Sequence, residues 1–160
     1  NIATITAIQI RDASQNNSVS IVVSGEGDYE FSIEAINGPY QDSHIFENVV
    51  PGLYTVYVRD KNNCGIEENL VSVIGFPKFF TPNDDTKNDF WQVSGINNQF
   101  QANSSILIFD RFGKLLKELD PLSPGWDGTF NGSKLPTSDY WFKIKLEDGR
   151  VFTSHFTLKR

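Results

Sequence analysis

The 160-residue chain has a formal net charge of −6 and a sequence pI of about 4.8. Because phosphate binding needs clustered Lys or Arg, this balance disfavours nucleic acid or an anionic membrane surface as a partner. No apolar run approaches the roughly 20 residues that span a bilayer, so we expect no membrane insertion.

The charges divide unevenly along the chain. Residues 1–75 have a net charge of −7, whereas residues 76–160 have a net charge of +1. Such a difference indicates two halves of different kind. We therefore predict two small domains in tandem, residues 1–75 and residues 76–160. The sequence starts at Asn1 without an initiating Met, and we expect a fragment of a longer precursor.

The first half has the two-residue period of β-strands. The apolar residues that would share strand faces are Ile8 and Ile10; Val19, Ile21 and Val23; Tyr29, Phe31, Ile33 and Ala35; Tyr54, Val56 and Val58; and Val71 and Val73. Turn-forming segments rich in Asn, Gly and Pro recur about every ten residues between them. This spacing predicts an all-β, immunoglobulin-like sandwich of short antiparallel strands. Neither half has the 3.6-residue period of an amphipathic helix.

Strand patterns continue in the second half. We expect a strand to open at Phe90 and Trp91, a central strand over 106–109, and a hairpin turn at 111–114 in which Gly113 takes a positive φ. The next strand alternates, with Phe142, Ile144 and Leu146 on one face and Trp141, Lys143 and Lys145 on the other. A last strand through 152–158 completes a second small antiparallel β-sandwich.

Candidate catalytic groups are few. The sequence has no Gly-x-Ser-x-Gly elbow, no His-Glu-x-x-His motif and no phosphate-binding loop. The two histidines, His44 and His155, fit a turn and a strand better than a general base. Cys64 is the only cysteine and cannot form a disulfide within the chain; it is either a half-buried thiol in a turn or the partner of a cysteine upstream. We predict no catalytic residue and no enzyme activity.

Four segments of the second half carry its most distinctive patterns, in a fixed order. They are Thr81-Pro82-Asn83-Asp84-Asp85-Thr86-Lys87-Asn88-Asp89, Ile108-Phe109-Asp110-Arg111-Phe112-Gly113-Lys114, Gly125-Trp126-Asp127-Gly128-Thr129 and Asp139-Tyr140-Trp141. Together they resemble the C-terminal type B sorting domain of the type IX secretion system, a gliding-motility-associated domain of Bacteroidota. Residues 29–65, with Pro51-Gly52-Leu53-Tyr54 before a Val-rich strand, resemble the immunoglobulin-like modules of Bacteroidota surface adhesins.

The resemblance implies a folded export signal that carries a large protein through the periplasm and outer membrane to the cell surface or the medium. The implied partners are the type IX translocon, its shuttle components and a PorP/SprF-like outer-membrane protein, and we expect the chain itself to be a monomer. Strand addition at an exposed edge near the C-terminus is one expected mode of recognition. The predicted contact residues are Asp110, Arg111, Phe112, Gly113, Lys114, Tyr140, Trp141, Phe156, Leu158, Lys159 and Arg160.

The segment 81–89 allows two interpretations. Asp84, Asp85, Asn88 and Asp89 place oxygen ligands close together, which suits Ca²⁺. The spacing differs from that of an Asp-x-Asp-x-Asp-Gly calcium loop, and Asx-rich stretches are common in turns, so a capped turn without metal or other cofactor is the alternative. The family pattern has glycines where this chain has Asp84 and Thr86. If those glycines serve a positive φ, we expect a strained or reshaped loop here.

A second class of function is also open. The face of an exposed Trp can stack on a sugar, so Trp126 or Trp141 could make the second domain a polysaccharide- or surface-binding β-sandwich module. Trp126 lies beside an Asp-Gly turn, where packing over a hairpin is the simpler interpretation. The exposure of the two indole rings discriminates between these functions, because a buried ring offers no stacking platform.

Overall fold

The computed structural model of the protein describes residues 4–62 and 65–160, and the regular secondary structure of those residues is entirely β. This confirms the predicted all-β class. The predicted turn thiol, Cys64, lies outside the described residues. The described residues contain no helix with the length and hydropathy that a membrane span requires. The chain divides into two compact units, Asn1–Gly75 and Phe76–Arg160, called here the N-terminal and C-terminal units.

The described residues of the N-terminal unit form two three-stranded antiparallel sheets. Its strands are β1 (Thr4–Arg11), β2 (Ser18–Ser24), β3 (Tyr29–Ser32), β4 (Ile45–Glu47), β5 (Gly52–Asp60) and β6 (Ile66–Val73). One sheet has the order β1-β2-β4 and the other has the order β3-β5-β6.

The core of the N-terminal unit lies between these two sheets. The buried residues that form it are Val19 and Ile21 from β2, Phe31 from β3, Val56 and Val58 from β5, and Val71 and Val73 from β6. Because a strand presents every second side chain to the same face, β-branched residues at this period pack both sheets together. The alternation predicted for β2 and β5 is confirmed.

The strand predicted from Tyr29 to Ala35 is shorter than its alternation suggested. β3 ends at Ser32, whose side chain is fully buried and donates a hydrogen bond from Oγ to the Ala35 carbonyl at 3.0 Å. A side-chain hydroxyl that bonds the backbone nearby favours a turn over continued strand. Ile33 still packs against the core, but it does so from a bend, and Ala35 is exposed.

The C-terminal unit is built on a five-stranded sheet. Its strands are β7 (Phe79–Phe80), β8 (Ser105–Phe109), β9 (Leu115–Leu119), β10 (Thr129–Phe130), β11 (Ser133–Lys134), β12 (Ser138–Lys145) and β13 (Val151–Leu158). The sheet order is β7-β13-β12-β8-β9, and β10 and β11 form a separate hairpin. Among the described strands of this sheet, β7 and β13 pair in parallel and the others pair antiparallel.

One face of this sheet is apolar and buried. Its core residues are Ile106, Ile108, Phe142, Ile144, Phe156 and Leu158. The residues that alternate with them in β12 are exposed, which confirms the faces predicted for residues 141–146. The predicted final strand is confirmed as β13, which ends at Leu158.

A second layer covers the apolar face without forming a strand at Phe90 and Trp91, where one was predicted. Trp91 instead forms an isolated bridge with Trp126, in which each backbone N–H donates to the other residue's carbonyl at 2.9 Å. The Trp91 ring stacks on Phe156 at a centroid distance of 4.4 Å. The bridge to Trp126, 35 positions away along the chain, fixes this segment. The local alternation of residues could not predict such a long-range contact.

Candidate functional site: a groove beside the 110–114 turn

A groove of about 400 Å³ brings two parts of the C-terminal unit together. The turn 110–114 lines one side, and the segment 135–140 lines the other, with Phe130 and Leu116 also in contact with the space. We call it the turn groove. Five of the predicted contact residues, Asp110, Arg111, Phe112, Lys114 and Tyr140, line it.

The turn between β8 and β9 is fixed by Asp110. Its carboxylate oxygen Oδ1 accepts hydrogen bonds from the backbone N–H groups of Phe112 and Lys114, both at 2.9 Å. Its carbonyl accepts from the Gly113 N–H at 3.0 Å, and Gly113 has a φ of 83°. The predicted hairpin and its positive-φ glycine are confirmed. Because Asp110 is occupied as a cap, its role is to shape the turn.

The tip of the turn presents an aromatic ring and two cations. Phe112 is 81% exposed, and the Arg111 guanidinium lies 4.9 Å from its ring centroid. The Lys114 ammonium lies 4.5 Å from the ring of Phe130. Exposed cation–π contacts of this kind contribute about 0.5–1 kcal/mol and leave the positive charge accessible. The turn therefore offers an apolar contact with two cations beside it.

Tyr140 connects the opposite side of the groove to the core. Its ring is buried, and its hydroxyl donates to the Pro136 carbonyl at 2.8 Å. Burial raises the pKa of Tyr140 above its ordinary value; the charge of Arg160 opposes this rise, and Asp110 adds to it. The phenol therefore keeps its proton at neutral pH and acts as a donor.

Arg160 forms hydrogen bonds with several segments next to this side of the groove. Its Nε donates to the Leu135 carbonyl at 2.6 Å and its Nη2 donates to the Gly128 carbonyl at 3.0 Å. Its Nη1 reaches the Pro82 carbonyl at 3.5 Å, and its backbone N–H donates to Thr137 Oγ1 at 2.9 Å. The guanidinium predicted to contact a partner thus binds carbonyl oxygens of its own unit.

The other predicted contact residues have different surroundings. Phe156 and Leu158 are fully buried, so a partner cannot touch them in the folded unit. Lys159 is exposed, with its ammonium 5.1 Å from the Phe79 ring. Trp141 is 39% exposed on the outer face of the sheet, 6.0 Å from the His155 ring. Neither Lys159 nor Trp141 lines the turn groove.

The 81–89 loop has positive φ angles at the two positions where the family pattern has glycine. Asp84 has a φ of 60° and Thr86 has a φ of 66°. Non-glycine residues are uncommon in this region, and a β-branched residue such as Thr is a strong outlier. The loop is therefore strained at the two positions where the family pattern has glycine.

Side-chain caps stabilise this strained loop. Asp89 accepts backbone hydrogen bonds from Asn83 at 3.1 Å and from Thr86 at 2.8 Å, and Asp85 accepts from the Lys87 N–H at 2.9 Å. These bonds are those of capped Asx turns. No group of three or more His, Cys, Asp or Glu suited to a metal occurs in the described parts of the chain. The calcium site at Asp84, Asp85, Asn88 and Asp89 stays a prediction.

Trp126 is 2% exposed, and its indole N–H donates to the Thr129 carbonyl at 3.0 Å. The buried ring has no accessible face on which a sugar could stack. Trp126 therefore does not support the hypothesis of polysaccharide binding. Trp141 remains partly exposed, but the neighbouring His155 ring is tilted by 42° and forms no coplanar platform with it. The packing interpretation of the Trp-Asp-Gly segment is therefore favoured.

Sequence reasoning missed the far side of the turn groove. Phe130 and Leu135 lie in a hairpin and a connecting segment without a strong periodic pattern, and their approach to the turn depends on the pairing of β8 with β12. The two glycines of the Gly-Trp-Asp-Gly segment, in contrast, belong to a motif that is recognisable in the sequence, and each lies where an added side chain would collide with its neighbours. A Cβ at Gly125 would lie 2.5 Å from the Trp91 carbonyl oxygen, and one at Gly128 would lie 2.8 Å from the Leu158 side chain.

The family of the chain follows from a match that spans most of the C-terminal unit. Residues 74–157, more than half of the chain, match the CHU_C type IX secretion signal domain. The chain belongs to this family. The predicted resemblance to a type IX sorting domain is confirmed, and the match supports a C-terminal sorting signal over residues 74–157. A type IX secretion signal domain directs export to the cell surface or the medium, and its family is one of signals and not of catalysts.

The chain is distantly similar to several solved structures. The BSP domain of a biofilm-associated protein is 16% identical, with a TM-score of 0.34 over 99% of this chain and 30% of that chain. Dimeric latent PorU from Porphyromonas gingivalis is 13% identical, with a TM-score of 0.32 over 99% and 20% of the two chains. SGBP-B of the Bacteroides ovatus mixed-linkage glucan utilization locus, in complex with mixed-linkage heptasaccharide, is 13% identical, with a TM-score of 0.30 over 100% and 48%.

These TM-scores are too low to support an argument about function. The chain spans less than half the length of each of these three solved chains. No curated protein matches it.

Proposed function

We propose that the secretion signal domain is recognised at the outer membrane through the turn groove, with Phe112 as the principal contact. The observation that carries this proposal is the 81% exposure of Phe112 at the tip of a turn held by Asp110. Exposed apolar groups on a rigid frame favour binding, because little conformational entropy is lost on contact. Aromatic and Arg residues are also the commonest contributors to binding energy at interfaces.

The charges around the turn groove define the kind of partner that it suits. The carboxylate of Asp110 caps its own turn, and that of Asp139 accepts a hydrogen bond from Thr157 Oγ1 at 2.7 Å. Arg111 and Lys114 instead lie over aromatic rings, which leaves their charges accessible. The partner surface would therefore offer an apolar pocket for Phe112 with acidic groups around it.

Family membership implies interaction with the type IX machinery, and we assign the finer roles as proposals. The domain passes through the periplasm with the shuttle components, and it engages the translocon together with a PorP/SprF-like outer-membrane protein. The chain acts as a monomer in this route, since a single groove is enough to present Phe112. Export ends at the cell surface or in the medium.

Strand addition offers a second contact near the end of the chain. In the described part of the sheet, β7 pairs with β13 only at Thr157 and Leu158, whereas β12 pairs with β13 along its whole length. The stretch 151–156 of β13 thus has a partner strand on one side in this sheet. Backbone groups along such an edge can pair with an added strand of another chain.

We assign the N-terminal unit a structural role as an adhesin-type stalk module. Its two sheets enclose a continuous core of β-branched residues. Its net charge of −7 favours solubility and disfavours binding to anionic surfaces. In this proposal neither unit is catalytic, and any enzyme activity belongs to other parts of the exported protein.

A comparison of two surface substitutions tests the role of Phe112. We would fuse a signal peptide and a fluorescent cargo to the full chain, express it in a type IX-competent bacterium with the outer-membrane partner, and measure cargo in periplasm, surface and medium. We expect Phe112→Ser to reduce the exported fraction at least about tenfold, as for an interface hot spot. Leu122→Ser is the matched control, because Leu122 is also an exposed apolar loop residue of the C-terminal unit and does not line the groove.

The control should export as the parent does. Normal export of Phe112→Ser would contradict the proposal. Equal loss in both variants would also contradict it, because the effect would then follow from any loss of surface apolar area.

A further inference from the structure

Arg160 makes more connections between segments than its exposed position suggests. Its hydrogen bonds reach Pro82, Gly128, Leu135 and Thr137, which lie on separate stretches of the C-terminal unit. The first two belong to the 81–89 loop and to the Gly-Trp-Asp-Gly segment. The other two belong to the side of the turn groove that faces the 110–114 turn.

We infer that Arg160 is a positioning residue for recognition, which holds the segment 135–137 in place as one side of the turn groove. This inference rests on the proposed role of the groove. Arg160 acts through the position of that segment, since its guanidinium is directed at carbonyl oxygens of its own unit.

The hydrogen bonds around Arg160 form a closed set. The Leu135 N–H donates to the Gly128 carbonyl at 2.9 Å, and the same carbonyl accepts Arg160 Nη2 at 3.0 Å. The Leu135 carbonyl accepts Arg160 Nε at 2.6 Å. Each of the three residues is therefore bonded to the other two, which limits the movement of Leu135 relative to the end of β13.

The guanidinium is specifically suited to this position. It is planar and carries donors that point in several fixed directions, whereas a Lys ammonium is a point charge on a flexible stem. Gly128 leaves the space that the guanidinium needs, because a Cβ there would lie 3.1 Å from Nη2. Gly128 also has a φ of 83°, which favours glycine. The Gly-Trp-Asp-Gly segment and Arg160 thus fit each other.

Lys159 provides the matched control for Arg160, because the structure places this predicted contact residue outside the turn groove. It is adjacent, exposed and of the same charge, and its ammonium lies over the Phe79 ring away from the groove. Removing either side chain lowers the net charge of the C-terminal unit by the same amount. A difference between the two variants therefore reports the hydrogen bonds and not the charge.

Hydrogen–deuterium exchange of the full chain tests the local effect, using Arg160→Ala, Arg160→Lys and Lys159→Ala. We expect Arg160→Ala to accelerate amide exchange in the segment 135–138 roughly tenfold, while exchange in the middle of β12 stays as in the parent. Arg160→Lys should give an intermediate increase, and Lys159→Ala should give none. Unchanged exchange in Arg160→Ala would overturn the inference. An equal increase in β12 would also overturn it, because it would indicate general loss of stability.

Export of the same variants tests the functional part. We expect Arg160→Ala to lower the exported fraction of cargo and Arg160→Lys to restore part of it, with Lys159→Ala exporting normally. Faster exchange in segment 135–138 with undiminished export would overturn the positioning role. Failure of the groove proposal itself is distinguishable, since it appears as normal export of Phe112→Ser whatever the exchange data show.

Discussion

Three residues of the 81–89 loop have backbone angles in the left-handed region that favours glycine. Asp84, Thr86 and Asn88 all have positive φ angles, of 60°, 66° and 53°. Asn and Asp tolerate this region comparatively well, whereas the branched Cβ of Thr collides with the neighbouring backbone. Strain of this kind costs of order 1–3 kcal/mol for each residue. Thr86 is therefore the least favourable residue of the loop.

Replacing Thr86 by glycine should stabilise the C-terminal unit. Glycine relieves the strain, and its greater freedom in the unfolded chain offsets part of the gain, so we expect a net increase of about 1 kcal/mol in the free energy of unfolding. Urea denaturation monitored by Trp fluorescence measures this unit selectively, because Trp91, Trp126 and Trp141 all lie within it.

Lys87→Gly is the control for this loop. Lys87 is adjacent and is not among the residues with positive φ, so glycine brings no relief there and should lower stability slightly. A decrease in stability for Thr86→Gly would show that the loop does not store the strain we assign to it.

At the scale of elements, the second layer of the C-terminal unit depends on one close backbone approach. Gly125 has a φ of 131°, and a Cβ there would lie 2.5 Å from the Trp91 carbonyl oxygen. That carbonyl accepts a hydrogen bond from the Trp126 N–H. This bond connects two segments of the layer that covers the aromatic core. A methyl group at this position must push the bridge apart.

We therefore expect Gly125→Ala to lower the free energy of unfolding of the C-terminal unit by about 3 kcal/mol or more. Gly132→Ala separates the two causes, because Gly132 has a positive φ of 81° but no atom within 4 Å of its added Cβ. It should cost about 1 kcal/mol from backbone strain alone. Equal losses in the two variants, measured by Trp fluorescence in urea, would contradict the role of the bridge.

These elements show which parts of the fold local patterns could predict. β2, β5 and β12 follow the two-residue period because each has one face on the core. β3 ends early because the Ser32 hydroxyl competes for the backbone, and the segment at Trp91 is fixed by Trp126. Alternation of apolar and polar residues indicates which face of a strand is buried. It does not predict side-chain or long-range hydrogen bonds such as these.

One side of the candidate site could be predicted from the sequence, and the other side could not. The turn at 110–114 was recognisable from Gly113 and its sequence motif, and the structure gives Asp110 the role of its cap. The opposite side of the groove depends on Arg160, whose acceptors lie 23 to 78 positions away in the sequence. No periodic pattern marks a residue that bonds carbonyl oxygens on separate loops.

The whole chain combines an acidic N-terminal unit with a nearly neutral C-terminal unit of the type IX secretion signal family. The features that we assign to recognition, namely the exposed Phe112, the accessible cations and the Arg160 connections, all lie in the C-terminal unit. The N-terminal unit has a complete core of its own. This division predicts that export depends on the C-terminal unit and on the type IX translocon.

The most direct test compares the location of one cargo in two strains. The full chain, carrying a signal peptide and a fluorescent cargo, would be expressed with the PorP/SprF-like protein that we propose as its partner. The hosts would be a type IX-competent bacterium and the same strain without a functional translocon. We predict cargo on the surface or in the medium of the first strain and in the periplasm of the second. Cargo retained in the periplasm of both strains despite a folded chain, or exported by both, would contradict the account.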